Sequence, residues 1–224
     1  MLVDAARRGA GYVWYLIIMM PFGEIAYFLA VKIHDPEFMA LWHRFTWRPP
    51  SLDQVRFEAE LTPSFQNRSI LAHTLHDDGH FGEATELFRE LLASEPEDKP
   101  ALYGLACSLA GAGQTAAAID ALKQLTTLDF AYAEHAAGSK LAELYDAEDR
   151  REEALAMREA VARASGSLAH QTELASALAA LGRGAEARAL LERGLHEYAH
   201  SPRYVQKTQK RSARAARRVL AALG

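Results

Sequence analysis

Four alanines recur along this chain at nearly equal intervals, and each closes a similar stretch: Gly79 to Ala84, Gly113 to Ala118, Asp149 to Ala154 and Gly182 to Ala187. The alanines stand 34, 36 and 33 residues apart. A period of that size restricts the fold to a stack of like units, none able to bury its apolar faces alone, so the stack must be continuous and capped at its ends. Ahead of each alanine lie Leu71-Ala72, Leu105-Ala106, Leu141-Ala142 and Leu174-Ala175, with Leu75, Leu109, Tyr145 and Leu178 about one helical turn later. Behind it lie Phe88 and Leu91, Leu122 and Leu125, Val161, and Leu191. This is helical spacing in two helices per unit, with a small residue where they cross. Half of the residues are apolar, enough for a core, and strand-like alternation is missing.

The pattern resembles the tetratricopeptide-repeat family over Phe65 to Pro202, and Pro96 ends the first repeat as that family leads one to expect. Three positions depart from it: Arg158 stands for a large apolar residue, Gly194 for an alanine-like one, and Asp149 for a glycine. The resemblance implies a concave surface lined by the first helix of each repeat. Carried over, it places Gln66, Ser69, His73, His76 and Asp77 there in repeat one, and Tyr103, Cys107 and Ala110 in repeat two. Repeat three offers Ser139, Glu143 and Asp146, and repeat four Thr172, Ser176 and Ala179. Such a lining is small and mildly acidic. It lacks the Lys and Asn set by which some tetratricopeptide proteins clamp a C-terminal carboxylate, so a chaperone adaptor is disfavoured and a basic or small-residue helix fits better.

The net charge of -4 conceals an asymmetry. From Arg203 onward there are seven positive residues and no acid, whereas residues 51–202 carry 13 basic and 25 acidic groups. An acidic body repels nucleic acid along most of its length. The tail, 203–224, reads as a basic capping helix starting after Ser201-Pro202, with Tyr204, Val205, Thr208, Ala215, Val219 and Leu223 as its apolar stripe. Capping alone is one reading. The other adds contact of Arg211, Arg214, Arg217 and Arg218 with anionic lipid.

From Tyr12 to Val31 runs a 20-residue apolar stretch whose only formal charge is Glu24. A helix of that length matches a hydrocarbon core of about 30 Å, and aromatic residues flank it as at a headgroup boundary. A cleaved signal peptide competes, but the run is long for one and no small-x-small site follows it. Glu24, beside Pro21 and Gly23 in mid-span, is expected to pair with a polar group of a membrane partner, to stay neutral, or to lie near an interface. Beyond the span, Glu37 to Pro50 mixes Trp42 and Trp47 with His43, Arg44 and Arg48, as an interfacial helix would.

The stretch YVWYLIIMMPFGEIAYF resembles the second transmembrane helix of the phospholipase D nuclease N-terminal type. Joined to the repeats and the basic ending, it is similar to bacterial membrane-anchored tetratricopeptide proteins. That likeness implies the bacterial inner membrane; the flanking charges, Arg7 and Arg8 on one side and Lys32, Arg44 and Arg48 on the other, set orientation only weakly, and the solenoid is expected on the cytoplasmic side. That group usually has a first transmembrane helix ahead of this one, whereas only Met1 to Gly11 precede the run here, which implies either a truncated start or a single span. No HxKxxxxD motif occurs, so phospholipase activity is not implied.

Signals for chemistry are few. His73, His76 and His80, with Asp77 and Asp78, share a helix side at spacings compatible with a divalent metal, although groove-lining or solvated histidines explain them as well. There is no Gly-rich phosphate loop, CxxC pair, HExxH or nucleophile elbow. The single cysteine, Cys107, has no base beside it in sequence and reads as packing. The expectation is therefore an all-α, non-catalytic, cofactor-free chain. Its parts are an N-terminal transmembrane anchor (1–34), a juxtamembrane segment and linker (35–64), a solenoid of four repeats (65–202) and a basic cap (203–224). It would hold a membrane-associated protein partner as a scaffold or assembly factor, or serve as a lasting subunit of a membrane enzyme complex. A metal- or lipid-sensing regulator is a third reading.

Overall fold

The same turn is built four times in this chain. At each junction between the paired helices of a repeat the backbone enters the left-handed region, at Gly79 (φ 82°), Gly113 (φ 76°), Asp149 (φ 58°) and Gly182 (φ 77°). The amide one residue later then bonds back across the helix end: His80 to the Leu75 carbonyl, Gln114 to Leu109, Arg150 to Tyr145 and Arg183 to Leu178, at 2.8 to 2.9 Å. These bonds satisfy carbonyls that the helix end would leave open, and glycine enters that conformation without a Cβ penalty. Asp149 adopts it as an aspartate, its carboxylate accepting from Arg151 Nε at 2.8 Å.

The computed structural model describes residues 50–223, all but the first two of which lie in the unit Leu52–Gly224. The described elements are helical: α1 Leu52–Leu61, α2 Phe65–Asp77, α3 Phe81–Ser94, α4 Lys99–Gly111, α5 Thr115–Leu128, α6 Tyr132–Ala147, α7 Arg151–Ser165, α8 Leu168–Ala180, α9 Gly184–His200, α10 Arg203–Thr208 and α11 Lys210–Ala222. Pairs α2/α3, α4/α5, α6/α7 and α8/α9 are the four repeats. Ser64, Asp98 and Ser167 cap α2, α4 and α8, each side-chain oxygen accepting from a first-turn amide.

The crossing residues are among the best buried of the described residues. Ala72, Ala84, Ala106, Ala118, Ala142, Ala154, Ala175 and Ala187 are all at most 1% exposed, which lets the paired backbones approach closely. Around them the core runs without a break. Leu92 and Leu105 pack against both the first and the second cluster, and α7 supplies Ala154 to the second and Ala162 to the third.

The 36-residue interval has a local cause. Ala133, Glu134 and His135 all take positive φ (47°, 56° and 68°), so the chain makes a left-handed turn before α6 settles into a regular helix. The two residues beyond the usual period are absorbed there, at the junction between repeats.

Two expectations are corrected at the ends. Residues 52–61, expected in a linker, form α1 and pack on α2 through Val55 and Ala59, while Phe57 and Leu61 stay exposed. The basic cap is two helices, because the backbone breaks at Gln209 and the helical phase restarts. The buried face is consequently Ala213 and Ala216 with Val219, Leu220 and Leu223, whereas Tyr204 is 72% exposed and Ala215 also faces out. Among the described residues no helix is long and apolar enough to cross a membrane. The expected span at 12–31, with Glu24, and the interfacial Trp42 and Trp47 lie outside them.

Candidate protein-binding groove

The first helices of the repeats, α2, α4, α6 and α8, supply nearly every residue expected on the concave face, and two hollows open along them. The first, about 620 Å3, is lined by His76, Asp77, Phe81, Tyr103, Cys107, Ala110, Gly111, Lys140 and Leu144. The second, also about 620 Å3, lies where α6, α7 and α8 meet; Ser139, Glu143, Asp146, Arg158, Glu173 and Ser176 are among its lining residues. Helix α6 contributes to both and so forms the wall between them.

Two aromatic rings, Phe81 and Tyr103, line the first hollow. Tyr103 shares a side-chain hydrogen bond with Cys107 and lies 5.9 Å from the Tyr132 ring, centroid to centroid. Burial, followed by the neighbouring thiol, pushes the Tyr103 hydroxyl up to about 12. Burial raises the Cys107 thiol as well, outweighing the opposing bond from Tyr103, so the cysteine stays a protonated packing group.

The histidines of the first repeat diverge. His73 packs edge-on against Phe88 at 5.0 Å, and burial lowers its pKa from the ordinary 6.5. His76 Nδ1 meets Ser108 Oγ at 3.1 Å, and its ring lies 5.4 Å from Phe81. His80 turns to Glu83 instead, at 3.7 Å. Among the described residues no group of three or more His, Cys, Asp or Glu is placed to share a metal ion. Gln66 and Ser69 lie on α2, the first exposed and the second half-buried, outside both hollows.

The hydroxyls expected in the groove are mostly withdrawn from it. Thr172 is buried, its Oγ1 donating to the Leu168 carbonyl at 2.6 Å. Ser176 Oγ donates to the Thr172 carbonyl at 2.9 Å. Ser139 borders the second hollow, yet its Oγ is buried without a partner. Serine and threonine commonly bond the carbonyl one turn back within a helix, so position on the inner face did not make them available.

Charge fills the space instead. Lys140 Nζ donates to Glu143 at 2.8 Å, a bond that raises the lysine's pKa. Arg158 donates to Asp146, which gives the departure at position 158 its physical account: a guanidinium replaces the large apolar side chain and pairs across the repeat. Lys140, Leu144, Arg158 and Glu173 were not foreseen. Leu144 and Lys140 follow Glu143 and Ser139 by one residue, and Arg158 and Phe81 come from second helices, which a one-helix-per-repeat lining leaves out.

A tetratricopeptide-repeat model matches residues 75–137. Solved structures extend the likeness over most of the chain. A MamA crystal structure is 22% identical with a TM-score of 0.56, over 65% of this chain and 85% of that one. The nearly identical tetratricopeptide-like repeats of a putative kinesin light chain from Podosopora anserina are 24% identical (TM-score 0.55), covering 71% and 84%. A thermophilic tetratricopeptide protein of Thermus thermophilus is 19% identical (TM-score 0.50), covering 73% and 88%. The fold of the described residues is thus a tetratricopeptide-like helical solenoid. No curated protein sequence matches this chain.

Proposed function

We propose that this chain is a non-catalytic, membrane-anchored scaffold or assembly factor that holds a protein partner in its tetratricopeptide groove. The observation that carries the reading is the pair of hollows along the first helices, open to a polypeptide and lined by side chains suited to binding. Tetratricopeptide solenoids generally bind protein partners, and the half-buried Cys107, whose thiol is pushed up by burial, lacks the lowered pKa of an activated nucleophile. The anchor in this proposal is the apolar run 12–31, at the bacterial inner membrane with the solenoid on the cytoplasmic side, and Trp42 and Trp47 at the headgroup level. Exposed Arg211, Arg214, Arg217 and Arg218 on α11 support a further contact with anionic lipid, since the opposite face of that helix is already packed.

The test is gentle detergent extraction of the full chain followed by mass spectrometry. Sub-stoichiometric or immature partners are the expected result for an assembly factor, and no partner at all overturns the proposal. A stoichiometric partner supports a second reading favoured by the carboxylate of Glu24 within the apolar run, that of a lasting subunit of a membrane enzyme complex. In that case Glu24→Gln weakens co-purification while insertion is unchanged. For the tail, neutralising the four arginines lowers liposome binding; unchanged binding leaves them only a capping role.

A further inference from the structure

The stack of repeats stops at each end on a helix that lacks its usual partner. The second helices α3, α5 and α7 each pack on the first helix of their own repeat and on that of the next. Helix α1 sits on α2 as α3 sits on α4, so it holds the place of a second helix, with no first helix of its own among the described residues. At the other end α11 packs on α8 and α9 and takes the place of a fifth first helix, with no second helix behind it. The outer faces of these two helices are complementary. On α1, Phe57 and Leu61 stand one turn apart, 63% and 71% exposed, opposite the buried Val55 and Ala59. Asp53, Glu58 and Glu60 flank them, exposed and without an ion pair to a described residue. On α11, Arg211, Arg214 and Arg218 form an exposed row with the small Ala215 and Ala222, opposite the buried Ala213 and Ala216, and these guanidiniums also have no ion pair to a described residue. By contrast Arg56, Arg68, Arg150, Arg158 and Arg183 are each paired within the chain.

We infer that copies of this chain dock head to tail, α1 of one copy laid along the exposed face of α11 of another, so that the two lone helices form one repeat between copies. Phe57 and Leu61 leave water against Ala215, Ala222 and the aliphatic stems of the arginines, and their burial supplies most of the attraction. The small alanines let the helices approach, as the crossing alanines do inside each repeat. Asp53, Glu58 and Glu60 meet the arginine row along the margins. Each exposed ion pair contributes little alone, but together they fix direction, because α1 against α1 or α11 against α11 would set like charges face to face. The two docking faces are different surfaces of one chain, so the contact does not close at two copies and the assembly lengthens as concentration rises. Anionic lipid would occupy the same arginines, and the two contacts exclude each other on one molecule.

The experiment is sedimentation velocity of the full chain in a neutral detergent over a concentration series. The expected result is a mass that rises past two copies with concentration and falls with salt. Phe57→Ser with Leu61→Ser, both at exposed positions, should weaken association by about 10-fold or more. The decisive arm exchanges charge. One variant carries Arg211→Glu, Arg214→Glu and Arg218→Glu, the other Asp53→Lys, Glu58→Lys and Glu60→Lys, and circular dichroism first shows each to be folded. Each variant alone should stay a single copy, and an equal mixture should associate again, because each reversed face then meets a matching one. A control carrying Glu152→Lys, Glu192→Lys and Glu197→Lys, exposed carboxylates away from α1, has the same change of net charge and should not restore association with the arginine-reversed variant. Single copies of the parent at every concentration, association that stops at two copies, variants that associate alone as the parent does, a mixture that stays apart, or equal recovery with the control each overturn the inference. Copies that stay apart in neutral detergent and gather only on phosphatidylglycerol liposomes assign the arginine row to lipid and overturn it as well.

Discussion

Gly104 lies in the middle of α4 beneath a buried aromatic ring, and a single methyl group added there has a calculable consequence. A Cβ at this position would stand 2.3 Å from Phe88 Cζ, 2.6 Å from Cε1 and 2.9 Å from Cε2. Phe88 is fully buried, so its ring has nowhere to swing without displacing the first core cluster. Overpacking of this kind costs about 1–3 kcal/mol. Glycine to alanine in a helix also gains up to about 1 kcal/mol from backbone propensity, which would mask part of the clash. Gly82, in α3 with open space around its Cβ position, supplies the control. Gly82→Ala is expected to stabilise by up to about 1 kcal/mol, and Gly104→Ala to lie about 1–3 kcal/mol below it. The three clashing atoms are those that Phe88→Leu removes. That change alone leaves a cavity, but combined with Gly104→Ala the new methyl occupies the vacated space, and coupling of about 0.5–3 kcal/mol in favour of the double variant follows. Urea denaturation of the parent and the four variants, followed by far-ultraviolet circular dichroism, measures each difference. Additivity within about 0.5 kcal/mol, or equal stabilisation by the two glycine replacements, refutes the close-packing argument.

The repeat turns predict effects of opposite sign: Gly113→Ala forces a Cβ into φ 76° and should destabilise by about 1–2 kcal/mol, while Asp149→Gly should be neutral or stabilising by up to about 1 kcal/mol in thermal melts. A pH dependence arises at the α4–α6 junction. The Lys99 ammonium, donating at 2.7 Å, holds the Asp129 carboxyl below its ordinary 3.8, so this pair stabilises the fold above that value and its contribution fades as pH falls through the lower folded value. Asp129→Asn should flatten that part of the acid profile, and an unchanged profile would show the pair to be unimportant. Tyr103, pushed up to about 12, should remain unionised when the exposed tyrosines have titrated; an absorbance titration of Tyr103→Phe that loses an early-ionising group instead would contradict its burial. Arg158→Ala removes the partner of Asp146 and opens the second hollow. Because that carboxylate is partly exposed, its effect on stability should stay within about 1 kcal/mol, measured by the same urea titration.

Periodicity alone determined the all-α stack, the four repeats and the identity of the crossing alanines, because a 34-residue unit needs a small residue at each crossing and that requirement is written in every copy. It also placed the turn glycines, since only a left-handed backbone closes each helix pair so tightly. The inner-face assignment brings Tyr103, Cys107, Glu143 and Asp146 to the hollows for the same reason: Cys107 and Glu143 occupy equivalent positions on successive first helices, with Tyr103 one turn before and Asp146 one turn after. Tertiary structure decided what those side chains can offer. Thr172 and Ser176 turn to their own helix carbonyls, and the three histidines part company. Arg158, the apparent fault in the third repeat, becomes the partner of Asp146. Those outcomes depend on which groups from other elements lie within bonding distance, and a linear period carries no such information. The same holds at the C-terminal cap, where a break at Gln209 shifted the helical phase: Val219 and Leu223 still pack inward, but Ala213, Ala216 and Leu220 join them in place of Tyr204 and Ala215.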